Sequence, residues 1–575
     1  MVLNKIKKDI ASSIAIATKL DACIIEGLLE KPKNPENGDL SFPCFQLSKT
    51  LKVSPAEVAK QLESSIELPP SASEVKATGP FLNFRFERNF IIKESIQRFL
   101  STQSKDSSKK GTIVIDYSSP NIAKPFHVGH LRTTLIGNSL LRVYKFLGYK
   151  TVGVNHLGDW GTQFGFVWAG CKLWGKPEEE SVKELVELYK KATSLKDAQE
   201  KKQVEAHQVN LPDVNEIARA FFLDLEEKKP YALEFWNWCL EISMAYLHKM
   251  YARLDVHFDH FTGESFYSDM LEEVKEELEK KKLLTESQKA FGVDLGEALG
   301  FARILTPDGR TLYLTRDIAT AIYRYKTFQF EKSLYVVGAP QALHFKQLIA
   351  VLKLMGHSFA DHMEHVAFGH VLGMKTRGEG GAIELGEFLD EADERALTAY
   401  REQVAKRPEG LDEQEVAKRV SLAAILYSNL SRTRIKDVHF SWEHALEFQG
   451  DSGPYLLYAY ARINGIKDRA QKEHITVNAT SFDSTKLTDE KSFEIAKMLC
   501  EFDFVLEKVI QENEPSHLTT YALDLARTFS SGYNDLKVVG EEASTAEARL
   551  TLFEATKTAL GTCLSLLGIK PLERM

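Results

Sequence analysis

Apolar positions along this chain follow two rhythms, and the switch between them divides it. From about residue 112 to 356, short apolar runs alternate with stretches of helical period. Thr112 to Tyr117, Lys150 to Asn155, Thr311 to Leu314 and Leu334 to Gly338 read as strands, the last as a buried parallel-type strand. Ile136, Leu140, Val143 and Leu147 recur at helical spacing before a stop at Gly148, and Leu348, Val351, Leu352 and Met355 do the same before Gly356. A further helix is expected to begin near Asp317, a residue suited to capping it. From about Ala392 the strand rhythm almost vanishes. Helical periods remain over Val420 to Ser431, Pro454 to Ile466, Phe493 to Ile510, Tyr521 to Tyr533 and Ala546 to Leu567. Helices running on after an α/β core predict a separate helical bundle.

The region before residue 100 reads as a small α/β unit. Its first twenty residues form an amphipathic helix, and Ser54-Pro55 opens another with the serine as N-cap. Gly79 to Phe86 alternates as a half-exposed strand would. Ser101 to Lys110 is free of apolar residues and reads as a linker. Pro177 to Leu254 is a long, charge-laced helical stretch inserted between strands, its lysine and glutamate runs forming a solvated face.

Composition narrows the class. With 575 residues, the chain is too long for one core. It has 43% hydrophobic and 27% charged residues, as in ordinary globular protein, and no apolar run is long enough to span a bilayer. The absence of a secretory cleavage pattern makes a cytoplasmic protein the expectation. Six scattered cysteines without a CxxC pair read as reduced, mostly buried thiols, not a zinc ribbon or a disulfide framework. A formal net charge of -8 argues against indiscriminate nucleic-acid binding while leaving room for a local basic face.

The chemistry concentrates at His127-Val128-Gly129-His130, where the first strand of the α/β region gives way to a helix. A helix N-terminus already favours an anion through its amide donors and dipole. Gly129 lets a flat base or ribose approach the backbone, and His127 and His130 can donate to phosphoryl oxygens whose charge grows in a transition state. The preceding loop, Asp116 to Pro125, is polar and punctuated by prolines. Strand, loop and helix together make the first unit of a nucleotide-binding fold.

Several separated stretches resemble, in order, the arginyl-tRNA synthetases of class I. They are DYSSPNIAKPFHVGHLRTTLIGNSLLR, VNHLGDWGTQFG, LYLTRDIATAIYR, YVVGAPQALHFKQLIAVLKLMG, the later YLLYAYARI and the terminal PLERM, together with GDLSFPCF near the start. The resemblance covers nearly the whole chain. It implies an α/β protein with a Rossmann-type parallel-sheet catalytic domain over 106–395 carrying helical insertions. A small α/β N-terminal domain over 1–105 and an all-α anticodon-binding bundle over 396–575 flank it. It further implies ATP-dependent activation of L-arginine and transfer to tRNA(Arg). The partners are then arginine, tRNA and ATP with Mg2+ as the substrate complex. No structural protein-bound metal, no membrane and a monomeric state are expected.

On that resemblance, His127, Gly129 and His130 face ATP, joined by Met374, Lys375, Thr376 and Arg377 of the second signature. This second signature departs from the family's KMSKS: glycine replaces its first lysine, lysine takes the next serine position, and threonine the second lysine. Lys124, just before the first signature, stands where a substitute lysine occurs in such members, so Lys124 and Lys375 are expected to supply the phosphate charge together. Asp116, Asn121, His127, Tyr313, Asp317 and Gln341 are implied around the arginine. Thr78, Phe81 and Asn83 are implied at the outer corner of the tRNA. Arg432, Arg434, Lys436, Arg462, Lys467 and Arg469, with Tyr455, Tyr458 and Tyr460, could form the face of the helical domain toward the RNA. Two other readings remain at this stage: a synthetase for another amino acid, such as cysteine, and a synthetase-like RNA-binding regulator without catalysis. The altered second signature is the one feature favouring the regulator.

Overall fold

Five parallel strands form the centre of the molecule. In the computed structural model, which describes residues 2–101, 110–124, 126–201, 211–287, 290–307, 309–373, 384–404 and 410–575, a small α/β unit precedes them. The antiparallel strands β1 (Leu40–Pro43), β2 (Ala72–Thr78) and β3 (Phe81–Phe86) form a small sheet with β3 in the middle. Helices α1 (Val2–Thr18), α2 (Pro55–Ser65) and α3 (Arg88–Leu100) complete this unit. Ser54 caps α2 by accepting from Glu57 N at 3.3 Å, with Pro55 in the first turn. As the middle strand, β3 is buried more completely than its alternation suggests.

The central sheet begins with β4 (Thr112–Asp116), followed by α4 (Val128–Phe146) and β5 (Lys150–Asn155). Helix α5 (Gln163–Trp174) follows, and the inserted stretch carries, among the described residues, α6 (Val182–Glu200), α7 (Val214–Glu226) and α8 (Pro230–Leu254). The sheet then resumes with β6 (His260–Phe261). An antiparallel excursion between residues 285 and 305 leads into α9 (Tyr313–Phe328), β7 (Lys332–Tyr335), α10 (Ala342–Leu354) and β8 (Met363–His365). The strand order is β8-β7-β4-β5-β6, every pair parallel.

Both faces of the sheet are covered, which is why β4 (TIVID) is continuously apolar instead of alternating. Ile113 and Ile115 join a core shared with α4 and the helical bundle, while Val114, Val152 and Val154 pack with α9 and α10 on the other face. Helix α4 lies very close to the sheet: a Cβ built on Gly137 would come within 2.3 Å of Tyr117 Cβ.

One element differs from the expectation. Thr311 to Leu314 is not a strand; Leu312 is the N-cap and the helix has begun by Tyr313. Leu312 N and Thr315 Oγ1 both bond to Ile304 O, which turns the chain into the helix early. Asp317 therefore lies one turn inside α9 and does not cap it.

Beyond the sheet, β9 (Val371–Leu372) pairs in parallel with β10 (Val438–His439). Helices α11 (Leu385–Gln403), α12 (Glu413–Leu430), α13 (Gly453–Lys472), α14 (Glu490–Glu512), α15 (Ser516–Gly532) and α16 (Ala543–Leu567) build the bundle. The 395/396 limit expected between domains falls inside α11, a continuous helix. The N-terminal unit docks on the bundle through Arg98, whose Nε and Nη2 donate to Asp503 at 3.0 and 2.7 Å, and through Lys31–Glu501 at 2.8 Å. Asp503 is buried, so the fork satisfies a carboxylate that could not be left alone there. Among the described residues no helix is long and apolar enough to cross a membrane.

Candidate active site

At the end of β4 the chain turns through a strained loop into α4. Ser118, Ser119 and Ala123 have φ of 76°, 49° and 56°, a left-handed conformation that costs a non-glycine residue about 1–2 kcal/mol. Specific hydrogen bonds hold them there. Ser118 N donates to Thr133 Oγ1 at 3.1 Å, Ser119 N to Asn155 Oδ1 at 3.1 Å, and Ala123 N to Ser243 Oγ at 3.2 Å. The loop also zips onto the turn after β5: Gly158 N donates to Pro120 O and Ile122 N to Gly158 O, both at 3.0 Å. Two motifs far apart in sequence thus share one wall at the carboxyl end of the strands, where ligands of open α/β sheets bind.

His127 is the N-cap of α4, its Nδ1 accepting from Gly129 N at 3.0 Å. That bond makes Nδ1 the acceptor and leaves the proton on Nε2. The His130 ring lies 4.1 Å from that of His127. Burial lowers the pKa of His127; burial and the neighbouring His127 push His130 down to about 3. Both imidazoles are therefore neutral near pH 7, each with one N–H to donate. His130 Nδ1 is buried without a hydrogen bond, and Gly129 is exposed beside it. Lys124 is half-buried, its Nζ 5.8 Å from the centre of the Tyr189 ring on α6. Met374, Lys375, Thr376 and Arg377 lie outside the described residues.

The opposite wall is acidic, and its acids are already engaged. Asp116 is buried and its Oδ2 lies 2.8 Å from Nη1 of Arg324, which is wholly buried on α9. Its other oxygen accepts from Ser119 Oγ at 3.0 Å. Asp116 is expected around the arginine substrate; in the structure the chain already supplies a guanidinium of its own to one of its oxygens. Asp317 Oδ2 lies 2.6 Å from His344 Nε2, both side chains about a third exposed, and this bond raises the His344 pKa. Glu264 meets Arg316 at 3.0 Å, and its burial outweighs the arginine to lift the carboxyl to about 7. Asp159 accepts from Ser265 N and Oγ at 2.8 and 2.6 Å. His156 has its pKa lowered chiefly by burial, against the charges of Asp116, Asp317 and Asp159, which raise it.

Tyr313 is 71% exposed at the crevice mouth, and Asn121 and Gln341 are exposed as well. Arg324, His344, Glu264, Arg316 and His156 escaped the sequence reading. A signal was present for Arg324: Tyr313, Asp317, Thr320 and Arg324 recur at helical spacing along one face. Among the described residues no group of three or more His, Cys, Asp or Glu could hold a metal ion.

The expected RNA-facing residues separate into two groups. In the N-terminal unit Thr78 is exposed and Phe81 stands edge-on to the half-exposed ring of Phe45, centroids 5.7 Å apart. Asn83, by contrast, is 3% exposed, so the structure corrects that expectation: the turn bearing Gly38 covers its face of the sheet. In the bundle Arg432 and Lys436 are exposed. Arg462 is sandwiched between the rings of Tyr458 and Tyr533, 4.8 and 4.9 Å from their centres, and Arg469 donates to Tyr533 Oη at 3.2 Å. Tyr533 is an addition that sequence did not suggest. Tyr460 is buried and bonded to Glu573, Tyr455 is bonded to Ser530, and Lys467 pairs with Glu554 at 2.8 Å. Arg434 is also corrected: its guanidinium is bound by backbone carbonyls of the protein itself.

With this geometry in hand, comparison with known proteins gives a consistent picture. Residues 95–442 match the family model of the catalytic domain of class I (R) tRNA synthetases, 456–575 the DALR anticodon binding domain, and 4–86 the arginyl tRNA synthetase N-terminal domain. The arginine–tRNA ligase of Alkaliphilus metalliredigens is 41% identical over 562 residues, covering 95% of each chain. That of Clostridioides difficile is 39% identical over 560 residues, covering 96% of each. The arginyl-tRNA synthetase of Plasmodium falciparum has the same fold, with a TM-score of 0.82 at 24% identity over 99% of this chain and 98% of that one. The Thermus thermophilus enzyme superposes with a TM-score of 0.81 at 23% identity over 99% of both chains.

Proposed function

The chain belongs to the arginyl-tRNA synthetases of class I, and from that premise we infer that it ligates L-arginine to tRNA(Arg) at the expense of ATP. In the first step a carboxylate oxygen of arginine attacks the α-phosphorus of ATP. The bond to pyrophosphate breaks, and arginyl-adenylate forms. In the second, a hydroxyl of the terminal ribose of the tRNA attacks the activated carbonyl and AMP leaves. Neither step needs a covalent enzyme intermediate, so the protein's work is positioning and charge stabilisation.

His127 and His130 donate from neutral imidazoles to the phosphoryl oxygens, alongside the first amides of α4, with Gly129 leaving room for the nucleotide. Mg2+ enters with the triphosphate as part of the substrate. Lys124 and Lys375 supply cationic charge, with Met374, Thr376 and Arg377 completing the nucleotide contacts. Adenylate formation at the wild-type rate in both Lys124→Ala and Lys375→Ala would refute the lysine assignment.

For the amino acid, Asp317 is the carboxylate offered to the guanidinium, with Tyr313 over it and Asn121, His127 and Gln341 toward the backbone end. Asp116 acts through its charge and its hold on Ser119, since its second oxygen is bound by Arg324. Lysine is rejected because an ammonium leaves fork-matched acceptors unpaired. The anticodon is read by the bundle, with Arg432, Arg462, Arg469, Tyr458 and Tyr533 at the RNA, while Thr78 and Phe81 meet the outer corner. We take the protein to act as a monomer in the cytoplasm.

The observation that carries this reading is the pair of neutral, adjacent imidazoles at the N-terminus of α4, their ring centroids 4.1 Å apart. ATP–pyrophosphate exchange, run across the amino acids with and without bulk tRNA, tests it. Exchange that depends on arginine supports the reading. Exchange with another amino acid, or with none, defeats it.

A further inference from the structure

Two arginines outside the crevice, carried by different elements, grip the same strip of backbone. The strip is residues 366–372, which continues from β8 along the open edge of the sheet. Val366 N donates to Tyr335 O, and Ala339 N to Phe368 O, at 2.8 and 2.9 Å, so the strip is joined to the turn that carries Gln341. From the bundle side, Arg434 Nη1 donates to Ala367 O at 2.6 Å, and the Arg434 carbonyl accepts from Gly369 N at 2.9 Å. From the first-signature helix, Arg132 Nη1 donates to Gly369 O at 2.6 Å and to His370 O at 3.2 Å. Asp437 Oδ1 accepts from His370 N at 2.7 Å.

Arg434 is itself fixed by the end of α14. Its Nε donates to Asn513 O at 3.1 Å and its backbone N–H to Glu514 Oε2 at 3.0 Å. Asn513 is in the left-handed region with φ 49°. Its side chain donates to Glu364 Oε1 on β8 at 2.8 Å and accepts from Tyr144 Oη on α4 at 2.9 Å. The turn between α14 and α15 therefore touches the signature helix and the sheet edge directly, and reaches the strip through Arg434. Arg132 is 1% exposed; burial lowers its pKa, and the charges of Asp437 and Glu514 offset only part of that.

We propose that Arg434 and Arg132 are positioning residues for the nucleotide half of the reaction, holding strip 366–372 in register between the helical bundle and the first-signature helix. A planar fork suits the task, because one guanidinium can span carbonyls on two segments at fixed angles, which an ammonium on a flexible stem cannot do. Through Arg434 the α14–α15 turn sets where the strip sits, so RNA bound along the bundle acts on the nucleotide side through this contact.

The inference rests on the functional reading above, and its test keeps the two apart. Arginine-dependent exchange, with tRNA present, is measured for wild type and Arg434→Lys, together with the melting temperature and hydrogen exchange of the peptide covering 366–373. The expected result is a KM for ATP raised about tenfold with the KM for arginine within twofold. That peptide should also gain protection on tRNA binding in wild type but not in Arg434→Lys. An unchanged KM for ATP, or both KM values rising in parallel, overturns the inference, as does a tRNA response that persists in the variant. Should Arg434→Lys fail to fold, Glu514→Gln removes the charged acceptor of the Arg434 amide and is expected to give the same split at about threefold; its absence is equally decisive. Wild type that exchanges no arginine refutes the functional reading instead.

Discussion

At the mouth of α4 two adjacent imidazoles are neutral, tilted toward each other and only partly used by the protein, while the carboxylates of Asp116, Asp317 and Glu264 each already have a partner. His130 keeps a buried nitrogen without a hydrogen bond. Asp116 has Arg324, Asp317 has His344, and Glu264 has Arg316. The difference follows from what each wall receives. A triphosphate brings its own excess of charge and needs donors that are waiting, so desolvated neutral histidines at a helix N-terminus suffice. A guanidinium needs acids, and acids cannot wait unpaired in a partly buried cleft. The anionic wall is therefore kept in stand-by pairs, and substrate has to exchange with one of them.

The largest effect that tests this contrast is on folding. Arg324→Met leaves the Asp116 carboxylate buried without its cation, and breaking such a pair costs roughly 3–5 kcal/mol. Urea denaturation should show that loss, and adding Asp116→Asn should restore part of it. If the double variant is no more stable than the single, the two residues are not a stand-by pair.

On the other wall His130→Ala should leave stability nearly intact but slow arginine-dependent exchange by about 10²–10³-fold, the range for removing one preorganised transition-state donor. Because His130 is neutral well below pH 5, its titration should leave no break in the rate profile between pH 6 and 8.

Asp317→Asn should raise the KM for arginine by about 10–100-fold, in line with losing one hydrogen bond to a charged group. The smallest effects are those of pH. His344 has its pKa raised by Asp317, so the pair is complete below the ordinary histidine value and is lost as pH rises through the raised one. Arginine competes with that pair, so its KM should fall as pH rises from 6 to 8, and His344→Ala should flatten the trend. Glu264, lifted from 4.5 to about 7 chiefly by burial, binds a proton more tightly folded than unfolded. Its share of stability is full below pH 4.5 and is lost as pH rises toward 7, a slope that Glu264→Gln should remove in melts across that range.

How far the sequence reached depended on the range of the interactions. The histidines at the start of α4, the strand at Lys150–Asn155 and the helices of the bundle were legible because strand-to-helix junctions and periodicities are local. The start of α9 was not: Thr311 to Leu314 alternates like a strand, and the bonds of Leu312 and Thr315 to Ile304 that turn it into a helix come from another element. The roles of Asp116 and Asp317 were named on the resemblance, yet their partners are residues 324 and 344, which only the topology delivers. Arg434 looked like one of several alternating basic residues, and nothing in that pattern reveals that its guanidinium faces backbone carbonyls. Asn83 lies opposite the core face of its strand, as alternation requires, but a turn from elsewhere covers it.

Gly137 sets the spacing between the first-signature helix and the sheet. Tyr117 fills the space where any side chain would go, so even a methyl group would wedge the two layers apart at mid-helix. The imidazoles sit two to three turns away, at the free end of that lever, and would tilt off the line of the strand ends by more than the wedge itself. A single carbon atom far from the nucleotide would thus be felt as misaimed chemistry in a protein that still folds.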